Sequence, residues 1–183
     1  GAAFFKKYDD YETKGFLIFQ KEETMPKLIK ALVNGIQIQT HAIGDLANKV
    51  TLDWYEEAFN KISEANRMIE EPRWRIEHSQ NILPTDQKRF ADLKVIASMQ
   101  PSHAIGDLHF AHKRLGIERL ENAYTWRNLI DLGVVVAGGS DAPVEIGDPR
   151  IEFKAAIGRK DLDGFYKDYW NLEQSVSREE ALY

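Results

Sequence analysis

Four short segments constrain this chain more than anything else in it. Residues 36–40, 74–78, 95–99 and 134–138 read as strands, and helical periodicity fills the intervals between them, with no hairpin signal. Strands separated by helices pair in parallel through right-handed crossovers, so the pattern predicts an α/β fold. The first segment, Ile36-Gln37-Ile38-Gln39-Thr40, alternates with period two and carries β-branched residues that suit a strand. The last, Val134-Val135-Val136-Ala137, is apolar throughout, as expected of a strand buried on both faces.

The intervals are legible in the same way. Met25, Leu28, Ile29, Leu32 and Val33 recur at helical spacing from Glu22, and Asn34-Gly35 supplies a left-handed stop. A longer pattern runs from Leu46 to Ile69, with Asp45 placed to cap it. Val50, Trp54, Ala58, Phe59 and Ile62 fall on one side of that helix, a core stripe rather than a cofactor box. Further helices are expected over Pro84–Leu93, Asn122–Leu132 and Ile151–Arg159. Residues 1–21 have no period and read as a connector, 22–160 as four β/α units, and 161–183 as a C-terminal helical segment. A complete eight-unit barrel needs roughly 250 residues. The 183 residues present suffice for half of one.

Composition removes several classes of function. Without cysteine there is no disulfide framework, no thiolate metal site and no Cys nucleophile, so a metal would have to be held by His and carboxylate. The net charge of -5, with no concentration of Lys and Arg, argues against nucleic acid as a partner. No apolar run approaches the ~20 residues of a membrane span, and the start lacks the apolar region of a signal peptide. Together these lead us to expect a cytoplasmic protein with no membrane partner.

In a parallel barrel the C-terminal strand ends converge on one face, where active sites of this architecture lie. His41, His78 and Asp141 each fall at such an end. Two imidazoles and a carboxylate suit Zn²⁺ or another divalent transition metal. Each also has a plain structural reading: the histidines as satisfied strand-end residues, Asp141 as organiser of the turn before Ala142-Pro143. His103 either meets substrate or fixes its loop. His109 and His112 lie in the polar stretch 107–114 and are expected in solvent, as are the charges of Glu56-Glu57 and Glu118-Arg119.

Taken in order, Thr40-His41-Ala42-Ile43-Gly44-Asp45, Arg75-Ile76-Glu77-His78-Ser79-Gln80, Ser98-Met99-Gln100-Pro101-Ser102-His103 and Gly139-Ser140-Asp141-Ala142-Pro143-Val144-Glu145 resemble successive motifs of the amidohydrolase superfamily. The branch is the one that includes N-substituted formamide deformylase and proteins labelled exoenzyme regulatory. Arg114-Leu115-Gly116, Ala123-Tyr124-Thr125-Trp126-Arg127 and Asp148-Pro149 extend the likeness over nearly the whole chain.

The resemblance implies the C-terminal half of a TIM (β/α)8 barrel. It makes His41 and His78 metal ligands on the fifth and sixth strands, Asp141 ligand and general base on the eighth, and His103 a substrate-binding residue. The His-x-His pair of the family's first strand, the bridging ligand near its fourth and its small β-sandwich have no counterpart in these 183 residues. The function so implied is hydrolysis of an amide or other non-peptide C–N bond in a small molecule by metal-activated water, with one or two ions. The half-barrel alone is expected to be inactive. Its open strand edges lead us to expect either association with another copy, as a homo-oligomer, or partial disorder at its ends. A non-catalytic regulatory or interaction protein on the same scaffold is the alternative, and a metal-free enzyme using His103 as base is a third reading.

Overall fold

The computed structural model describes residues 1–183. Four strands form one parallel sheet in the order β1 (Gln39–Ala42), β2 (Arg75–His78), β3 (Ile96–Met99) and β4 (Val136–Gly138). Helices α1 (Lys21–Val33), α2 (Asp45–Lys61), α3 (Pro84–Asp92), α4 (Pro101–Asp107), α5 (Ala111–Leu115), α6 (Ile117–Leu120), α7 (Trp126–Asp131) and α8 (Pro149–Gly158) fill the intervals. This is the expected α/β fold, four consecutive units of a TIM barrel, with β1 and β4 each paired on one side only.

Pleating assigns the strand residues to two faces. Thr40, Ile76, Ala97 and Val136 lie side by side across the register. This row meets the helices: the hydroxyls of Thr40 and Tyr55 of α2 lie 2.5 Å apart, and Ile76 and Ala97 are fully buried. The next row, His41, Glu77, Ser98 and Ala137, lies on the other face. A cluster of 29 buried residues packs between sheet and helices, with Trp74 edge-on to Tyr55 at 4.8 Å.

Several elements depart from the sequence reading, each for a local reason. The first strand begins at Gln39, because Ile36 and Gln37 are exposed and outside the ladder. Helix α2 stops at Lys61, not at Ile69. Arg67 folds back and donates to the carbonyls of Phe59 and Ile62, satisfying the end of the helix with a side chain. The buried face of α2 runs through Asn48, Thr51, Leu52, Tyr55 and Ala58, with Trp54, Phe59 and Ile62 flanking it, so the period was right and the phase was displaced. Asp45 does not cap α2; Gly44 occupies that position, and Asp45 Oδ1 accepts from Phe5 N at 2.9 Å.

Residues 122–125 are not helical, because Asn122 O and Tyr124 N bond to Ile82 and Gln80 in the loop after β2. The fourth strand begins at Val136 rather than Val134, and Val135, just before it, is 58% exposed, not buried on both faces. The connector is docked: Phe4 is buried, Ala3 O accepts from Ala47 N, and Asp9 N donates to Arg114 O. Residues 161–183 are helical only as three 3-10 turns, Asp168–Trp170, Leu172–Gln174 and Glu180–Leu182. No helix is long and apolar enough to cross a membrane.

Candidate functional site

At the C-terminal end of the sheet the strands hand over to their loops within one level of the register. Ala42 lies beside His78, and Met99 beside Gly138. His41 belongs to the inner row. His78 sits two residues beyond Ile76, and pleating alone would send its side chain to the helix face. The backbone prevents this, because His78 and Ser79 adopt positive φ angles of 75° and 46°. Ser79 Oγ donates to Ile76 O and fixes the turn. The His78 ring consequently meets His41 edge-on, with centroids 4.4 Å apart.

Asp141 follows β4 through Gly139-Ser140 and has φ 55°, a left-handed value that Asp tolerates better than most residues. Its Oδ2 lies 4.0 Å from His78 Nε2. His103, in the first turn of α4, stacks on His78 at 5.7 Å between centroids. On its other side His103 Nε2 faces Glu145 Oε1 at 3.6 Å. All four residues singled out in the sequence therefore gather at one mouth. His109 is exposed and His112 packs against Tyr169. Arg119 departs from the solvated reading, since its side chain is 14% exposed and pairs with Asp9.

Burial pushes the His78 imidazole below its ordinary pKa, and the neighbouring His41 adds to this, while Asp141 pulls the other way. The ring is thus neutral near pH 7, the state in which imidazole ligates a metal. Two buried nitrogens of the cluster, His78 Nδ1 and His103 Nε2, have no hydrogen-bond partner. An orphaned buried polar atom costs about 1–3 kcal/mol, so the cluster is incomplete as a purely structural network.

The donors fit a divalent transition metal in kind, two imidazoles and a carboxylate. Two donors each about 2.1 Å from a tetrahedral ion stand roughly 3.4 Å apart, so the 4.0 Å gap between His78 and Asp141 would have to close by about 0.6 Å. As the side chains stand, no three His or carboxylate groups are spaced to hold one ion.

The sequence reading missed the supports of this mouth. Asn48, fully buried, donates to the carbonyls of Ala42, Gly44 and Asn81, tying the loops after β1 and β2 together. Asp107, one helical turn beyond His103, accepts from Gln80 Nε2 at 2.6 Å and Tyr124 Oη at 2.8 Å. Burial pushes the Asp107 carboxyl above its ordinary range against the pull of those hydrogen bonds. Both residues occupy the polar side of their patterns. The only available signal was a polar residue close to a strand-end motif.

Residues 2–183 match the model of the amidohydrolase family. The chain is 33% identical over 183 residues to Protein LONG AFTER FAR-RED 3 from Arabidopsis thaliana, covering 99% of this chain and 30% of that protein. To N-substituted formamide deformylase from Arthrobacter pascens it is 28% identical over 171 residues, covering 92% of this chain and 30% of the relative. An uncharacterized metal-dependent hydrolase of known crystal structure, from Pyrococcus furiosus, superimposes with a TM-score of 0.82 at 31% identity, over 99% of this chain and 34% of that one. The chain thus spans about a third of the length of the proteins it resembles.

Proposed function

Because this chain belongs to the amidohydrolase family, we propose that it forms the His41, His78 and Asp141 side of a metal-dependent hydrolase site. The reaction is hydrolysis of an amide or other non-peptide C–N bond in a small molecule. The observation that carries this reading is the meeting of two imidazoles and a carboxylate from three strand ends, His41 and His78 at 4.4 Å and His78 and Asp141 at 4.0 Å. Zinc, alone or as a pair of ions, would supply Lewis acidity, lowering the pKa of a water it binds to about 7 and polarising the scissile carbonyl.

The chain's own residues supply the rest. His41 and His78 would hold the ion through imidazole nitrogens, and the lowered pKa of His78 favours the neutral ring that can donate a lone pair. Asp141 has a second role as general base, accepting the proton of the attacking water and returning it to the leaving amine. His103 reaches the same mouth from α4 and is placed to hydrogen-bond the substrate.

The test is metal content and turnover in the full-length parent. We expect at least one ion per chain and loss of binding on His78→Ala. Asp141→Asn should abolish turnover with much of the metal retained, because the amide keeps an oxygen ligand but cannot accept a proton. Near-normal turnover in Asp141→Asn removes Asp141 from the mechanism. A regulatory protein that keeps the scaffold without turnover is the second reading, favoured by the 4.0 Å gap at His78–Asp141. A parent that folds without stoichiometric metal and hydrolyses nothing would decide for it.

A further inference from the structure

Beside the mouth, a cleft of about 290 Å³ opens between α4, the loop at 145–147, the first turn of α8 and the turn at 161–163. Its lining has an unusual charge balance. Glu145, Glu152, Asp161 and Asp163 contribute four carboxylates and His109 is the only other titratable group in the lining; no lysine or arginine lines it, although Lys154 Nζ donates to the carbonyl of the lining residue Leu162 at 2.6 Å. Asp161 is organised by its surroundings: Oδ1 accepts from the amides of Asp163 and Phe165, and Oδ2 faces His109 Nε2 at 3.0 Å. Glu152 accepts from Ser102 N at 2.9 Å.

Two further observations indicate that these carboxylates face a ligand. Ser102 lines the cleft and is 3% exposed, yet its hydroxyl has no hydrogen-bond partner. A buried hydroxyl left unpaired is destabilising, and a bound polar group relieves it. The remaining lining is apolar, Ile105, Ile146, Ile151 and Leu162, and two of these are open to water, Ile146 at 82% and Leu162 at 50% exposure. Carboxylates among exposed aliphatic side chains suit a cation carried on a hydrocarbon stem. A bare metal ion is disfavoured, because no three of the acidic groups are spaced to chelate one. The volume lies at the small end of ligand sites, which run from roughly 300 to 1,000 Å³.

We propose that this cleft binds an organic ammonium group, with its aliphatic stem against Ile146 and Leu162 and its charge among Glu145, Glu152 and Asp163. Glu145 also faces His103 at 3.6 Å, so the cleft adjoins the reaction mouth. The bound cation is then the end of an amide substrate remote from the bond that is cleaved. That last assignment rests on the hydrolase reading; the binding of the cation does not.

The test is a titration of this chain, without metal, with n-butylammonium, butan-1-ol and butyrate, followed by amide chemical shifts. The ammonium is expected to move Gly106, Gly147 and Ile151. Butan-1-ol should bind at least tenfold more weakly and butyrate not at all. Affinity should fall as added salt shortens the Debye length from ~10 Å to about 3 Å. Asp163→Asn removes an exposed charge, and Glu152→Gln keeps an acceptor for Ser102 N. Their combination should weaken the ammonium about tenfold and leave butan-1-ol unchanged. Ser102→Ala should weaken the ammonium several-fold.

Equal binding of butan-1-ol, an unaffected double variant, or shifts spread over the surface carboxylates would each overturn the proposal. Because the readout involves neither metal nor turnover, an inactive parent leaves the binding claim standing. Failure to bind the ammonium likewise leaves the hydrolase reading untouched.

Discussion

Arg159 offers a sharp test of how the mouth is supported. Its side chain is 1% exposed and lies over the rings of Trp126 at 4.6 Å and Trp170 at 5.8 Å. Nε donates to Trp170 O at 2.9 Å and Nη1 to Tyr124 O at 2.8 Å, with no carboxylate paired to it. Burial pulls its pKa down to about 10, with Tyr124 and Glu173 pulling weakly back. That depression corresponds to a cost of about 3 kcal/mol for holding the charged form.

Against it stand two hydrogen bonds from a charged donor, about 1.5–3 kcal/mol each, and desolvated cation–π contacts of about 2 kcal/mol. Arg159→Met keeps most of the volume, removes the charge and orphans both carbonyls. The balance is a loss of about 3 kcal/mol. For a chain of this length that lowers the melting temperature by roughly 6–12 °C. Urea titration followed by tryptophan fluorescence reads it directly, since Trp126 and Trp170 flank the site. Arg159→Lys, which keeps the charge but loses the planar fork, should fall between the two. Buried charges replaced by apolar residues are sometimes neutral or stabilising. A loss under about 1 kcal/mol for Arg159→Met would therefore show that desolvation dominates here and that the reasoning is wrong.

Three further outcomes follow from the same geometry. Asn48→Ala deletes the buried donor that ties the loops after β1 and β2, and should cost about 2–3 kcal/mol in urea titration, with faster amide exchange at Ser79 and Asn81. Asp107, whose carboxyl burial raises, holds its proton longer in the folded state than in the unfolded chain. Stability is therefore lost as pH rises from the unfolded value of about 3.9 through the folded one, and the penalty persists at neutral pH. Asp107→Asn should remove that slope, so that the variant gains on the parent chain as pH rises above the unfolded value of about 3.9; identical pH profiles would refute the assignment. At Gly44 an added Cβ would stand 2.0 Å from Ala3 O, backbone against rigid backbone. Gly44→Ala should release residues 1–14, detected as new proteolytic cleavage before Gly15, and cost about 1–3 kcal/mol.

The sequence carried the fold where hydrophobic period alone decides structure. Thr40, Ile76 and Ala97 share a row because strands alternate, and α1 was readable from Met25 to Val33 because one face is apolar. It failed where a polar side chain does structural work at a distance. The end of α2 is set by Arg67, five residues beyond Ile62, and its buried face turns on Asn48 and Thr51, polar residues that an apolar stripe does not include. Val135 failed for another reason, since its exposure depends on what stands opposite β4 and not on any property of the residue.

The candidate site divides along the same line. Each of His41, His78, His103 and Asp141 was visible as a residue type at a strand end, because a parallel sheet brings its strand ends to one face whatever their sequence separation. Their mutual approach was not visible, because it depends on backbone that sequence periodicity does not report. Pleating would place His78 behind the sheet, and only the left-handed turn at His78 and Ser79 swings the ring toward His41. Asp141 reaches His78 through another left-handed residue. Conformations of this kind cost of order 1–3 kcal/mol each where a side chain is present, and glycine would relieve them. Substituting glycine at Asp141 should therefore cost less stability than an ordinary loop truncation, and it would remove the carboxylate from the mouth. Asp141→Gly thus separates two effects, relaxing the left-handed backbone while removing the carboxylate that stands 4.0 Å from His78 Nε2.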